Sequence, residues 1–385
     1  MVLVFAPPAV AQQMLREGAK FGIPARLVAC QADCVAGINV TNYQKMHQFD
    51  LSLFAGVILD ESSILKSTDG KYRTALIEAC QTIPFRLAAT ATPAPNDFME
   101  LGNHAEFLGV MRNTDMLATF FTHDGGSTQK WRLKGHAENE FWKWMASWAV
   151  MLRKPSDLGY PNEGYDLPPL HYHQHTVEVE HVPSIEAGLF AAPAVTLSER
   201  ISARRCTVAE RAVAVTPADR PFVWWCNLNS EAEALAKRIP RAVNLHGSLS
   251  DDEKERTLIA FSDGEITHLV TKASLAGFGM NWQHCADTGF VGLNDSFEQF
   301  YQAIRRFWRF GQTQPLNCHI IAAETEGATV ANIRRKEADA ERMAAAMVLH
   351  MADLSSVAVR GSVRDTPNYN PTMPVIVPPF LERAA

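Results

Sequence analysis

No stretch of the sequence holds the roughly 18 uninterrupted apolar residues that a membrane-spanning helix needs, so a membrane partner is not expected. The seven cysteines are scattered and contain no CxxC pair, Cys30 and Cys34 being nearest to each other. That spacing predicts buried thiols in a reducing compartment rather than a disulfide scaffold. Three histidines crowd into HYHQH at 171–175, but no second cluster of ligand residues accompanies them, so metal binding there is not expected. Positive charge is also lacking overall: the formal net charge is −6. Any nucleic-acid contact must therefore use a local patch. The N-terminus has no basic segment ahead of a long apolar region. Met1-Val-Leu-Val-Phe reads as a buried strand, not as a secretory signal. These absences together predict a cytoplasmic location. No internal repeat is evident.

What is present is an ordinary globular balance, 47% hydrophobic and 20% charged over 385 residues, enough for two or three domains. The most patterned stretch is Asp295–Gln312, DSFEQFYQAIRRFWRFGQ. On a helix of about 100° per residue, Phe297, Phe300, Tyr301, Ile304, Phe307 and Trp308 fall on one side. Gln302, Arg305, Arg306 and Arg309 fall on the other. Ser296 with Gln299 marks the start, and Gly311 with Pro315 beyond it marks the stop. By spacing alone, such a helix is a core-packed element with a solvated basic face.

The first third alternates strands and helices. Strands are predicted at 2–6, 26–30, 38–41, 57–59 and 86–90, with helices at 9–21 and 98–108. This order implies a parallel sheet with crossover helices. The strand at 57–59 ends in Asp60 and Glu61. A carboxylate pair at the carboxyl end of a parallel strand is placed for a hard cation and a water, although an acidic pair after an apolar run is more often a surface turn. Residues 110–215 differ in character. They hold Phe120, Phe121, Trp131, Phe141, Trp142, Trp144 and Trp148 around a Gly-Gly-Ser loop, and a helix is predicted over 138–154. The aromatics are core or interdomain packing, with base stacking beside Lys130, Arg132 and Lys134 as the functional alternative. Pro168-Pro169 marks a hinge, followed by a strand at 172–179 and a helix near 195–214. A second alternating series follows: strands at 221–227, 242–245, 268–271 and 288–292, with helices at 230–238 and within 245–261. Beyond about 340 an alanine-rich helix gives way to a proline-containing tail expected to be extended or disordered.

The run QAxxRxxRxGQ at 302–312 resembles the sixth motif of the superfamily 2 helicase-like ATPases, in the variant of the Swi/Snf-type DNA translocases. Further stretches resemble other motifs of that family, in its order: VLVFAPPAVAQQMLREGAKFG (2–22), INVTNYQKM (38–46), VILDESSILK (57–66), LAATATPAPNDFMELGNHAEFL (87–108), LHGSLSDDEKERTLIAF (245–261) and HLVTKASLAGFGMNWQHCADTGFVG (268–292). LRK at 152–154 and DLPPL at 166–170 match the phrase that closes the family's helical insertion. The resemblance covers residues 1–325. It implies an α/β fold of two RecA-like parallel-sheet domains: 1–110 and 216–335, with a helical insertion and linker at 111–215 and a tail at 336–385. It implies ATP and Mg²⁺ as cofactors and duplex DNA as partner. Asp60 would hold Mg²⁺, Glu61 would activate water, and Arg306 and Arg309 would stabilise the transferring phosphoryl group. Gly277, Gly279, Asn281 and Gln302 would shape the nucleotide site. Thr41, Asn42, Gly247, Ser248, Thr271 and Lys272 would touch the DNA backbone. The compact size suggests a bacterial or phage source.

Two departures stand out. The pattern GxxxxGK[ST], which cradles the β- and γ-phosphates, occurs nowhere in the chain. The expectation is a family member shortened at its N-terminus, or a subunit completed by a partner that bears the phosphate loop. A non-catalytic nucleic-acid-binding module is the other reading. In addition, Ser63 stands where relatives carry a histidine that couples the two domains.

Overall fold

The computed structural model describes residues 1–66, 70–124, 127–178, 197–276 and 281–360. The apolar run at the N-terminus forms β1 (Val2–Phe5), the middle strand of the first sheet. After it come α1 (Pro8–Lys20), β2 (Ala25–Leu27), β3 (Ile38–Thr41), β4 (Gly56–Asp60), α2 (Lys71–Cys80), β5 (Phe85–Ala89) and α3 (Leu101–Leu108). The strands are all parallel in the order β2-β3-β1-β4-β5. One face, with Leu3, Phe5, Val57 and Leu59, is covered by Leu76 and Ile77 of α2 and Phe107 of α3. The other face, with Val4, Ala6 and Val40, is covered by Ala11, Met14 and Leu15 of α1.

That second cover stops short. Ile58 of β4 pairs in register with Leu87 of β5, and Gly56 with Phe85, so Phe85 and Leu87 point to the α1 side. They are 72% and 54% exposed. Among the described residues β5 is also the sheet's edge, with one side of its backbone unpaired by any strand as well as an apolar face.

The insertion comprises α4 (Asn113–Phe120), β6 (Phe121–Asp124), β7 (Ser127–Leu133) and α5 (Glu138–Ala146). β6 and β7 pair as an antiparallel hairpin, an element not expected from the sequence. The tryptophans and phenylalanines build its core. Phe120, Phe121, Phe141 and Trp142 pack with Met343, Met347 and Met351 from the C-terminal helix. Lys134 donates to the carbonyls of Ala118 and Thr119 at the end of α4, both at 3.0 Å, a helix-terminus role. Where the sequence predicts a helix to 154, α5 ends at Ala146. Trp148 and Met151 turn back into the methionine cluster, and Pro155 disfavours helical backbone at Lys154.

The second sheet is built from β8 (Leu170–Val177), β9 (Phe222–Cys226), β10 (Val243–Leu245), β11 (His268–Lys272), β12 (Asp287–Phe290) and β13 (Leu316–Ala323). All are parallel, in the order β10-β11-β9-β12-β13-β8. The helices of this half are α6 (Leu197–Cys206), α7 (Val208–Val213), α8 (Asn229–Arg238), α9 (Asp251–Ser262), α10 (Ala273–Ala276), α11 (Phe297–Ile304) and α12 (Gly327–Arg360). All five residues of β9 are buried, as a central parallel strand requires. β8 is the outer strand on β13. Its His171, His173 and His175 lie on one face and are exposed, with His175 Nε2 3.0 Å from His319 Nδ1. The proline-containing tail beyond 360 lies outside the described residues. The two parallel-sheet α/β domains agree with the RecA-like architecture expected from the sequence. No helix among the described residues is long and apolar enough to cross a membrane.

The helix predicted over the Asp295–Gln312 stretch is shorter than its periodicity suggests. Ser296 caps it, its hydroxyl accepting from the Gln299 N–H at 3.3 Å. It ends at Ile304, and Arg305–Gly311 form turns, with Gly311 at φ 93°. Competing partners take the backbone: the Arg306 carbonyl accepts from the Trp282 N–H at 2.9 Å. Gln312 Nε2 donates to the carbonyls of Cys285 and Phe307.

Candidate functional site at the cleft between the two sheets

β4 ends at Asp60, and the next residue, Glu61, has φ 52°. Left-handed backbone costs a non-glycine residue about 1–3 kcal/mol and persists only where surrounding contacts enforce it. Those contacts are visible. Tyr43 donates from its hydroxyl to the Asp60 carbonyl at 2.7 Å. The following 3-10 turn, Ser62–Lys66, is held from behind by α3. His104 Nε2 lies 3.2 Å from Ser62 Oγ, and Asn103 Nδ2 donates to the Leu65 carbonyl at 2.9 Å. Burial holds His104 neutral, its pKa pushed down to about 4.

The turn faces α11 of the other sheet domain. Gln302 Nε2 donates to Glu61 Oε2 at 3.1 Å. One turn earlier on α11, Glu298 accepts from Ser63 Oγ and Lys66 Nζ. Just past the helix, Arg306 is buried and acts on Glu61 as a nearby positive charge. Arg309 Nη1 donates to Asn281 Oδ1. Glu61, Ser63 and Lys66 of one domain and Glu298, Gln302 and Arg306 of the other therefore meet at the carboxyl end of β4, the position where ligands bind in open parallel sheets.

The electrostatics of the two sides are complementary. Burial pushes the Asp60 carboxyl up from its ordinary range. Burial and then the Asp60 charge push Glu61 up, with Arg306 and Gln302 opposing. On the facing side burial, then Arg309, pushes Arg306 down to about 10. Burial also lowers Arg309. The acids favour a cation and the paired guanidinium groups favour an anion. A triphosphate carrying a divalent hard cation matches both, since carboxylate oxygens suit Mg²⁺ and the guanidinium fork suits phosphate oxygens.

The other candidates divide. Gly277 and Gly279 lie outside the described residues. Thr41 and Thr271 are buried side chains: Thr271 Oγ1 donates to the Leu245 carbonyl at 3.2 Å, and among the described residues Thr41 Oγ1 has no hydrogen-bond partner. Asn42 caps the short 3-10 helix Tyr43–Gln48, accepting from the Lys45 N–H. Gly247 borders open space, and Ser248 hydrogen-bonds His246 at an exposed turn. Lys272 lines a cleft with Asn227 and Asn294 at the carboxyl ends of β9, β11 and β12. Sequence reasoning did not single out His104, Lys66 or Glu298 for the site. Their partners lie far along the chain, so no local pattern announces them.

Residues 216–311 match the family model described as helicase conserved C-terminal domain. This segment holds β9 to α11 and both arginines. Similar solved structures include S. cerevisiae Dbp5 bound to RNA and ADP BeF3, with 11% identity over 90% of this chain and 81% of that chain, TM-score 0.49. A single-substitution form of the same yeast protein, also bound to RNA and ADP BeF3, has 12% identity over 87% of this chain and 75% of that chain, TM-score 0.49. No curated protein matches the chain in sequence.

Proposed function

We propose that this chain forms the body of a nucleic-acid-dependent ATPase of the Swi/Snf-like helicase group that moves along duplex DNA. Residues 1–110 and 216–335 are its two lobes, 111–215 the insertion and linker, and 336–385 the tail. The observation that carries the reading is the meeting of Glu61 with Gln302 and Arg306 across the cleft. ATP, when bound with Mg²⁺, supplies the phosphoryl group and the metal charge. Asp60 would hold the cation. Glu61 accepts a proton from the attacking water, its carboxyl aimed by the left-handed turn and steadied by Gln302. Arg306 and Arg309 stabilise charge on the transferring group, and Asn281 orients Arg309. Asn42, Gly247, Ser248 and Lys272 supply neutral and cationic contacts to a nucleic-acid backbone. In protein supplied with a phosphate loop, Glu61→Gln is expected to abolish hydrolysis while bound ATP is retained. Phosphate release at the parental rate would remove Glu61 from the water-activating role.

The phosphate cradle comes, on this reading, from a polypeptide segment outside these 385 residues, and the β5 edge favours that view. The connection β1–α1–β2 runs one way across the sheet with α1 on one face. The connection β4–α2–β5 runs the other way with α2 on the opposite face. Both obey the right-handed crossover rule. A strand laid parallel on the free edge of β5, with a helix returning toward β1, must by the same rule put that helix on the α1 side. Phe85 and Leu87 are exposed on that side. The loop between such a strand and helix falls at the carboxyl ends, beside Asp60, where a glycine-rich loop can present backbone N–H groups to phosphates.

A further inference from the structure

Ser63 raises the question of what couples the lobes in place of a histidine, and the contacts of α11 answer it. Glu298, Gln302 and Arg306 are spaced four residues apart. They face the segment Glu61–Lys66 in reverse order: Glu298 meets Ser63 and Lys66, while Gln302 and Arg306 meet Glu61. The Glu298 side chain is 9% exposed and that of Lys66 37%. The carboxylate is thus largely withdrawn from water between the two lobes, with a hydroxyl donor on one oxygen and an ammonium on the other. A buried carboxylate in such a place requires both partners, so the contact has one register. A slip of α11 by one turn would leave Glu298 without either donor and would move Gln302 away from Glu61.

We infer that Glu298, gripped by Ser63 and Lys66, is a positioning residue that sets the register of the arginine-bearing segment against the acidic strand end. It ties the two lobes together through Ser63 and Lys66. It touches no reacting atom and acts through Gln302 and Arg306. This assignment builds on the nucleotide reading of the cleft, but its readout is backbone protection and not ATP turnover, so it can be tested separately.

The test is hydrogen–deuterium exchange on the 385-residue chain without nucleotide. In Glu298→Ala, amides of Glu61–Lys66 should exchange about tenfold faster, the factor that corresponds to roughly 1.4 kcal/mol of lost protection. Amides of β9 and β11 should be unaffected. Glu298→Gln, which keeps an acceptor for Ser63 but loses the charge facing Lys66, should fall between the two. The exchange pair Lys66→Glu with Glu298→Lys should restore protection. Parental exchange in Glu298→Ala would overturn the inference. So would an uncorrected defect in the charge-exchanged protein when its circular dichroism and melting match the parent, since that would make the role one of packing alone. ATP hydrolysis enters neither outcome, so failure of the nucleotide reading is distinguishable from failure of this one.

Discussion

Arg306→Ala should lower nucleic-acid-stimulated ATP turnover by about 10³–10⁵-fold in protein supplied with a phosphate loop, with a much smaller loss of nucleotide affinity. Arg306 is buried beside Glu61, and its charge already acts across the cleft. A group that meets the charge developing in phosphoryl transfer raises the rate far more than it raises ground-state binding. Arg305 is the matched control. Its guanidinium lies 5.1 Å from the Tyr301 ring centroid and 4.7 Å from that of Trp308, a cation–π position away from the acids. Arg305→Ala should therefore change turnover by less than about tenfold, a loss on the scale of one exposed cation–π contact. Equal losses from both replacements, measured as steady-state phosphate release, would mean that the segment's integrity matters and not the Arg306 charge.

The second large effect concerns stability. Arg211 on α7 is fully buried between Glu231 of α8, at 2.8 Å, and Glu326, the residue just before α12, at 3.3 Å. It also donates to the carbonyls of Val291 and Arg204. Glu231 in turn accepts from the N–H groups of Asn227 and Leu228 at 2.8 Å each, anchoring the start of α8. Gly292 is forced by this arrangement, because a Cβ there would lie 2.0 Å from Glu231 Oε2. Removing Arg211 leaves two buried carboxylates facing each other. Arg211→Ala should cost about 3–5 kcal/mol, read as a lowered urea midpoint for the second sheet domain. A loss under about 1 kcal/mol would show that water reaches the triad and screens it.

Much of the fold was legible because apolar strands in parallel sheets are continuous runs. β3 occupies the predicted 38–41, β4 extends its predicted core by one residue at each end, and β5 lies one residue earlier than predicted. The two sheets followed from the alternation of strands and helices. Two helices were read too long, α5 and α11, for the same reason. Periodicity reports which side chains prefer burial, but not whether a carbonyl finds a partner outside the helix, as Arg306 does with Trp282. The motif resemblance names the acids and arginines that come together at the candidate site. The grip of Ser63 on Glu298 was not legible, since 235 residues separate them. The burial of Thr41 and Thr271 was equally invisible, because a threonine near the end of a strand can face either side of the sheet.

On the proposed reading, this cleft hydrolyses a nucleoside triphosphate once a phosphate loop is laid on the β5 edge. The most direct measurement is ATP hydrolysis with duplex DNA by the 385-residue chain, alone and with a strand–GxxxxGK[ST]–helix segment joined ahead of Met1, each with its Glu61→Gln counterpart. The account predicts no turnover from the chain alone and DNA-stimulated turnover from the joined protein, abolished by Glu61→Gln. Turnover by the chain alone at the rate of the joined protein, or turnover that survives Glu61→Gln, would contradict it.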